Sequence, residues 1–259
     1  MNFKQTLVVL GFGLGLAASA LADVTVDPSA VANGAVANAA PTGFGSTSLA
    51  STGVAGQKVE YYLSATSLFG SAIKISDIAS MSYWTNKSTG AGAPDWTLLL
   101  YTATQGSGDS ASWYHTRLNA EPYFSSSSSY VAGAWNEWST GGTDALKFFD
   151  QPRSNTYGTY TDPSWADIVA GNVTWNGSGQ SGATVNYSDE MVNLFSLQTG
   201  SAWNGGFDGM VDGLTITLND GRTASVNFEG AANDVPEPAS LALVGVALAG
   251  LGIARRRKV

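Results

Sequence analysis

The chain has 259 residues, a formal net charge of −8 and no cysteine, which excludes disulfide bonds and thiolate metal sites. Roughly 210 residues lie between two hydrophobic ends, which is enough for one hydrophobic core. Residues 23–234 include seven basic and nineteen acidic side chains, and this net charge of −12 repels phosphate backbones and argues against nucleic acid as a partner.

The N-terminus has the three parts of a secretory signal peptide. Lys4 supplies a positive charge, an apolar run follows over 7–16, and Ala20 and Ala22 are small residues at positions −3 and −1. The spacing predicts export through the Sec translocon and cleavage by signal peptidase after Ala22, because the pockets of that enzyme are shallow. The alternative is an uncleaved membrane helix, but the run is shorter than the roughly 20 residues that a bilayer requires.

Residues 23–57 are rich in Ala, Gly, Ser, Thr and Val and show no clear hydrophobic period. They offer few large side chains for a core. The composition therefore predicts a flexible leader with one edge strand or none.

From residue 58 to 231, short apolar or aromatic runs alternate with clusters of Gly, Ser, Asn and Asp, which is typical of strands joined by turns. The last hairpin has the clearest pattern, since Leu214, Ile216 and Leu218 alternate with threonines before a turn at 219–221. The predicted strands are 59–63, 78–85, 96–102, 113–118, 135–139, 146–149, 173–175, 192–197, 214–218 and 223–228.

One helix is predicted over 162–171. Asp162 is the expected N-cap, a proline follows at the first helical position, and Gly171 follows the last turn. Trp165, Ile168 and Val169 fall on one face. Ten short strands and one short helix predict an all-β fold, an antiparallel β-sandwich of jelly-roll type, with a signal helix and a transmembrane helix at the two ends.

The C-terminus combines a proline-flanked turn, an apolar stretch and a basic run. Pro236, Glu237 and Pro238 precede sixteen uncharged residues, 239–254, and a basic run at 255–258. The prolines stop a helix from extending backwards, and the basic run stays on the cytoplasmic side of a membrane. Because the stretch is short and rich in Ala and Gly, it predicts a transmembrane helix that holds the membrane weakly and for a short time.

Over 235–259 this order of parts resembles the PEP-CTERM sorting signal, also called the ice-binding-protein C-terminal domain. The resemblance implies that exosortase, a membrane-embedded cysteine transpeptidase, recognises Pro236, Glu237 and Pro238 and processes the chain nearby. It also implies a Gram-negative host that makes exopolysaccharide and biofilm matrix. An ordinary tail anchor is the alternative. In pattern alone, 75–229 is similar to largely uncharacterised secreted jelly-roll domains, and no site is carried over from them.

The sequence offers few metal-binding side chains. The single histidine, His115, lies in an alternating run, which favours a strand position over a catalytic triad. One histidine and no cysteine leave too few ligands for a typical zinc site. Calcium takes oxygen ligands, and Asp208 and Asp212 in a glycine-rich approach to a strand are candidates for it. The alternative is that both belong to turn-forming Asp-Gly pairs.

Tryptophans are the candidates for carbohydrate contact, because sugar rings stack on aromatic faces. Polar surroundings rich in Gly, Ser and Thr flank Trp135, Trp138, Trp175 and Trp203, and also Tyr157 and Tyr160, although packing inside a sandwich is the alternative. Glycoside hydrolysis needs two carboxylates. Glu137 lies between two of these tryptophans, but no Glu-x-Asp-x-x-Glu pattern is present.

Two terminal signals around a charge-poor, β-rich body predict an exported, non-enzymatic protein. We expect transient anchoring in the inner membrane, processing by exosortase, and a final place at the cell surface or outside the cell, in association with exopolysaccharide or biofilm. A carbohydrate-binding module is the second hypothesis and a glycoside hydrolase the third. No cofactor is expected apart from calcium.

Overall fold

The computed structural model describes residues 21–104, 113–125, 129–150, 158–175, 182, 184–200 and 206–230. Most of the predicted signal peptide and the whole of the predicted sorting signal lie outside these ranges. In the described ranges, no helix combines the length and the apolar character that a membrane crossing demands.

Fifteen strands and two short α-helices make up the described chain. The strands are β1 Leu21–Val26, β2 Gly34–Ala37, β3 Ser48–Ser51, β4 Glu60–Ser64, β5 Ile73–Lys74, β6 Ile78–Lys87, β7 Thr97–Thr102, β8 Arg117–Ala120, β9 Asn136–Ser139, β10 Phe149–Asp150, β11 Asn172–Thr174, β12 Thr184–Asn186, β13 Met191–Gln198, β14 Gly209–Leu218 and β15 Thr223–Phe228. The helices are α1 Ala65–Phe69 and α2 Trp165–Ala170, and 3-10 turns lie at Pro28–Ala30, Ile75–Asp77 and Pro122–Phe124.

The long strand β14 organises a seven-stranded sheet. Strand β6 pairs with β14 along its length, and β9 lies outside β6. The other edge of β14 is shared by β3, followed by β2, and by β15, followed by β1. All pairings are antiparallel except that of β1 with β15, which is parallel. The pairing with β6 shifts register between Asp212 and Thr215, so β14 carries an irregularity next to a predicted site residue.

A six-stranded sheet has the order β10-β8-β7-β13-β4, with β5 beside the first residues of β13. Strands β11 and β12 form a separate hairpin. Leu98 and Leu100 of the six-stranded sheet and Leu214 and Ile216 of the seven-stranded sheet belong to the same buried cluster. The two sheets therefore bury one face each in a common core.

The predicted terminal hairpin is confirmed. Leu214, Ile216 and Leu218 are buried. Strands β14 and β15 pair in antiparallel register from Leu214, opposite Val226, to Thr217, opposite Thr223. Gly221 has φ +89° in the connecting turn, a conformation that side chains with a Cβ rarely adopt.

The predicted helix is confirmed as α2, but it begins later than expected. Ser164 is the N-cap, because its Oγ accepts the N–H of Asp167 while the Asp167 carboxylate accepts the N–H of Ser164. Asp162 bonds the backbone and side chain of Thr159 instead. Gly171, with φ +106°, ends the helix as expected.

The segment predicted as a leader contributes three strands to the structure. Residues 23–57 contain most of β1 and all of β2 and β3. Strands β1 and β2 are outermost in the seven-stranded sheet, and β3 lies between β14 and β2. Small side chains suit such strands, because backbone pairing holds them and Leu49 alone is a large, fully buried anchor there. Strand β1 spans the predicted cleavage point after Ala22, and its residues 23–26 pair with residues 225–228 of β15.

The fold is mostly β, with several sheets and few short helices, as predicted at the level of fold class. The jelly-roll strand order stays a prediction. The C-terminal helix lies outside the described residues, and so does the signal helix up to residue 20.

Candidate functional site: an aromatic surface on the six-stranded sheet

The outer face of the six-stranded sheet carries exposed aromatic rings because its strands alternate. In β4, Leu63 points into the core, so Tyr62 points outward and is 40% exposed. In β7, Leu98 and Leu100 are fully buried in the core, which places Tyr101 on the outer face. Strand β13 lies between them and pairs with both.

Trp113 stacks on this face and completes a group that we name the Trp113 cluster: Tyr62, Tyr101, Trp113 and Tyr114. The ring centroids of Trp113 and Tyr101 are 4.7 Å apart at an interplanar angle of 27°. Tyr114 meets the Trp113 ring edge-on at 5.0 Å, and Tyr62 does so at 6.4 Å. Tyr101 is thereby covered, whereas Trp113 remains 52% exposed. The indole is held in place and still presents apolar surface to solvent.

Hydrogen bonds fix the two tyrosines beneath and beside Trp113. Gln198 donates its Nε2–H to the Tyr101 hydroxyl over 2.9 Å, and the Tyr62 hydroxyl donates to Glu60 Oε1 over 3.0 Å. Lys58 pairs with the same Glu60 carboxylate. Burial, and secondarily the neighbouring Tyr101 and Glu60, raise the pKa of Tyr62, so its hydroxyl stays protonated at neutral pH and keeps its donor role.

Arg117 is the cation of this surface. It lies directly opposite Tyr101 across the β7–β8 pair, and its guanidinium carbon is 5.8 Å from the centre of the Tyr114 ring. Its Nε is buried and has no hydrogen-bond partner among the described residues. By contrast, Lys58, Lys74, Lys87 and Arg222 each lie within 4 Å of a carboxylate.

A second ring group, the Tyr160 cluster, consists of Tyr123, Phe124 and Tyr160. Phe124 packs edge-on against Phe149 of β10 at 6.2 Å, so this cluster lies near the β10 edge of the same sheet. Tyr160 is 54% exposed and its ring is tilted against Tyr123 at 6.0 Å. Its exposure matches that of Trp113, but the guanidinium of Arg117 lies over Tyr114 and not over this cluster.

The tryptophans predicted for carbohydrate contact lie elsewhere. Trp138 and Trp175 are core residues, 2% and 3% exposed, so the structure differs from the prediction and neither presents a ring face to a glycan. Their indole N–H groups are bonded inside, to Thr85 Oγ1 and to the Tyr187 hydroxyl. Trp135 is half-buried, and Trp203 lies outside the described residues.

The predicted calcium ligands differ in environment. Asp208 is exposed, whereas Asp212 is fully buried and its Oδ1 accepts the N–H groups of Gly213 and Phe228 at 2.7 and 2.9 Å. Burial raises the pKa of Asp212 to about 7. No group of three or more potential ligands occurs within the described ranges. Calcium binding by these two residues stays a prediction.

The side chains considered for hydrolysis, Glu137 and His115, lie in different parts of the domain. Glu137 is exposed on β9 of the seven-stranded sheet, opposite Trp84 of β6. His115 lies two residues before β8, with its Nε2 3.6 Å from Glu190 Oε1, and Glu190 Oε2 accepts the hydroxyl of Thr102. Glu137 therefore lies on the other sheet from the aromatic surface.

None of the four rings in the Trp113 cluster is predicted as a site residue from the sequence, because all four lie in the predicted strands 59–63, 96–102 and 113–118. The available signal was the aromatic doublet Tyr61-Tyr62 in the predicted strand 59–63. Because neighbours on a strand point to opposite faces, a doublet in a half-buried strand must place one ring outside. Tyr61 packs inward against Phe228, at 5.1 Å, and Tyr62 is the outward ring.

Comparison with known proteins identifies the other functional segment. Residues 234–258 match the family model of the PEP-CTERM protein-sorting motif, which includes the predicted Pro236, Glu237 and Pro238. No curated protein and no solved structure matches the chain. The chain thus carries a PEP-CTERM sorting motif, the signal of an exported protein that is anchored transiently in a membrane and processed by exosortase.

Proposed function

We propose that this is a non-enzymatic protein of the cell surface or extracellular matrix, released or attached by exosortase and associated with exopolysaccharide in a biofilm. The observation that carries the proposal is the sorting motif at 234–258. Strand β15 ends at Phe228, so residues 229–233 alone connect the folded domain to the motif.

The physics of the tail supports this function. A short uncharged stretch, 239–254, is followed by a basic run that favours the cytoplasmic side, so Pro236, Glu237 and Pro238 would stand at the outer surface of the inner membrane. The β domain precedes the motif in the chain and would stand on the same side. Cutting near Pro236–Pro238 would separate the intact domain from its anchor.

Fractionation of the host cells tests the sorting role. The double variant Pro236→Ala/Glu237→Ala should accumulate uncut in the inner membrane, whereas the control Val235→Ala should be processed like the wild type. An immunoblot of inner-membrane and surface fractions measures both. Normal processing of the double variant contradicts the proposal, as does a wild-type protein that stays cytoplasmic or keeps residues 1–22.

A second candidate function, carbohydrate binding, is favoured by the Trp113 cluster. A half-exposed indole that is immobilised by three tyrosines provides a flat apolar surface beside polar groups, which is the composition of small-molecule and sugar sites. Affinity electrophoresis on the polysaccharide that the host makes tests this function. A wild-type protein whose migration is unchanged by that polysaccharide excludes it.

The hydrolase hypothesis has a direct test as well. We expect equal rates, at the level of the buffer blank, when wild type and Glu137→Gln are assayed on the same polysaccharide. A rate that exceeds the blank and falls in Glu137→Gln would overturn the non-enzymatic assignment.

A further inference from the structure

We infer that the Trp113 cluster, together with Arg117, is a binding site for a carboxylated polysaccharide, a polymer that contains uronic acid residues. This inference rests on the proposed association with exopolysaccharide and specifies its ligand class. The site consists of the exposed face of Trp113, the ring of Tyr62 and the guanidinium of Arg117.

The stacking surface is built before any ligand arrives. Tyr101 supports one face of the Trp113 indole at 4.7 Å, and Gln198 in turn fixes Tyr101 through its hydroxyl. The C–H groups of a sugar ring carry partial positive charge and are attracted to the negative face of an indole. Because the indole is already held, a bound sugar does not have to order it, which lowers the entropic cost of binding.

The charge balance of the surface selects for an anion. The Glu60 carboxylate already accepts the Tyr62 hydroxyl and pairs with Lys58, so its charge is largely compensated. Arg117 rests on the Tyr114 ring and forms no ion pair with any described residue, and its buried Nε has no partner there. A guanidinium presents parallel N–H groups that match a carboxylate.

The positive charge of Arg117 is opposite in sign to the net charge of the domain. Residues 23–234 have a net charge of −12, which repels a polyanion from most of the surface. Among the described basic residues, Arg117 and Lys147 have no ion pair within 4 Å. Of these two, Arg117 lies against the Trp113 cluster, where an apolar surface adds to the attraction of its charge.

The test uses the processed protein, recovered from cells that express the full chain together with exosortase. The probes are polygalacturonate and its carboxyl-reduced form, a neutral polymer with the same backbone, measured by affinity electrophoresis and calorimetry. The matched control is Tyr160→Ala, because Tyr160 is as exposed as Trp113 but belongs to the other cluster. Thermal unfolding verifies that each variant is folded.

We expect the wild type to bind polygalacturonate more tightly than the neutral polymer. Trp113→Ala should weaken binding of both polymers at least about tenfold. Arg117→Gln should weaken the binding of polygalacturonate about tenfold and change the affinity for the neutral polymer by no more than about twofold. Arg117→Lys should keep part of the preference for polygalacturonate, because it keeps the charge. Tyr160→Ala should bind like the wild type.

The inference is overturned by a wild type that binds neither polymer, binds both equally, or binds as well after Trp113→Ala. It is also overturned if sedimentation shows that the cluster is covered by a second copy of the chain, and Trp113→Ala dissociates that dimer. Processing is scored in the same cells by immunoblot. A precursor that is never cut refutes the sorting function, whereas a processed protein without binding refutes the glycan site alone.

Discussion

The tryptophans inside the core and the tryptophan on the outer sheet face are held in different ways. Each buried indole donates its N–H to an internal acceptor: Trp96 to Gly209 O, Trp138 to Thr85 Oγ1, Trp165 to Ile78 O and Trp175 to the Tyr187 hydroxyl. Trp113 is held by a stacked contact with Tyr101 and edge-on contacts with Tyr62 and Tyr114. An indole is buried in this domain where an acceptor meets its N–H, whatever the polarity of the neighbouring sequence.

Two carboxylates near the end of β15 also differ because one is buried and the other is exposed. Asp212 is buried with two N–H donors, and burial outweighs them and raises its pKa to about 7. Glu229 is at the surface and accepts the hydroxyl and N–H of Ser46 and the N–H of Thr47, which lower its pKa. Burial therefore decides the direction of the shift when the donors are similar in number.

The largest expected effect separates the two kinds of tryptophan directly. Trp138→Ala should lower the free energy of unfolding by about 3–5 kcal/mol, because it leaves a cavity in the core and removes the donor to Thr85. Trp113→Ala should cost about 1 kcal/mol, the value of its ring contacts. Urea unfolding measures both, and equal losses would show that the two environments do not differ energetically.

A buried charge gives the next largest effect. Asp95 Oδ2 lies 3.6 Å from the Lys87 ammonium, and both side chains are inaccessible to solvent. Asp95→Ala should cost about 3 kcal/mol because it leaves that ammonium buried without its counter-charge. This expected loss is at the low end of the range for breaking a buried ion pair, because Lys87 Nζ still donates hydrogen bonds to the carbonyl oxygens of Ala93 and Pro94.

The exposed pair of Lys74 and Asp189 is the control for this measurement. Its atoms are 2.8 Å apart, closer than those of the buried pair, but the Asp189 side chain is 80% exposed. Asp189→Ala should leave the free energy of unfolding nearly unchanged, because solvent screens the attraction. A larger loss from Asp189→Ala than from Asp95→Ala would contradict the ranking by burial.

Local patterns predicted the terminal hairpin, helix α2 and the sorting motif. In each of these segments a short stretch contains all the information, such as the alternation of Leu214 and Ile216 or the glycine after α2. The sorting motif is likewise read from one contiguous run. Such elements are recognisable because neighbouring residues alone decide them.

The tryptophan environments and the edge strands could not be predicted in this way. Trp138 is buried because Thr85, fifty-three residues earlier, supplies an acceptor, and nothing near Trp138 in the sequence announces it. Strand β1 exists because β15, at the other end of the domain, offers a free edge for its backbone. Its small side chains carry no apolar period, so composition alone made the segment resemble a linker.

The pH dependence of stability distinguishes the two carboxylates. The pKa of Asp212 is about 7 in the folded chain and near 3.8 when unfolded, so the folded state holds its proton more tightly. This contribution is complete below about pH 4 and is lost as pH rises through about 7. We expect a loss of about 2 kcal/mol between pH 5 and pH 8, after allowance for solvent screening.

Asp212→Asn should flatten this part of the stability curve, and thermal unfolding at several pH values measures it. Glu229→Gln is the control with the opposite sign, because its lowered pKa contributes stability that is lost only as pH falls below about 4.5. Burial also raises the pKa of Asp95 to about 6 and that of Glu121 to about 7, so part of the slope should remain in the variant. A slope between pH 5 and pH 8 that is as steep in Asp212→Asn as in the wild type would assign the dependence to those groups instead.

The smallest expected effect comes from Trp→Phe substitutions, which remove the indole N–H and keep an aromatic ring. Trp138→Phe keeps most of the apolar volume but removes the 2.7 Å bond to Thr85 Oγ1, and it should cost about 1 kcal/mol beyond the loss of ring size. Trp113→Phe keeps the stack on Tyr101 and should leave the free energy of unfolding within about 0.5 kcal/mol of the wild type. If both substitutions cost the same, ring packing alone would explain the core tryptophans, and the internal acceptor would not be what distinguishes them from Trp113.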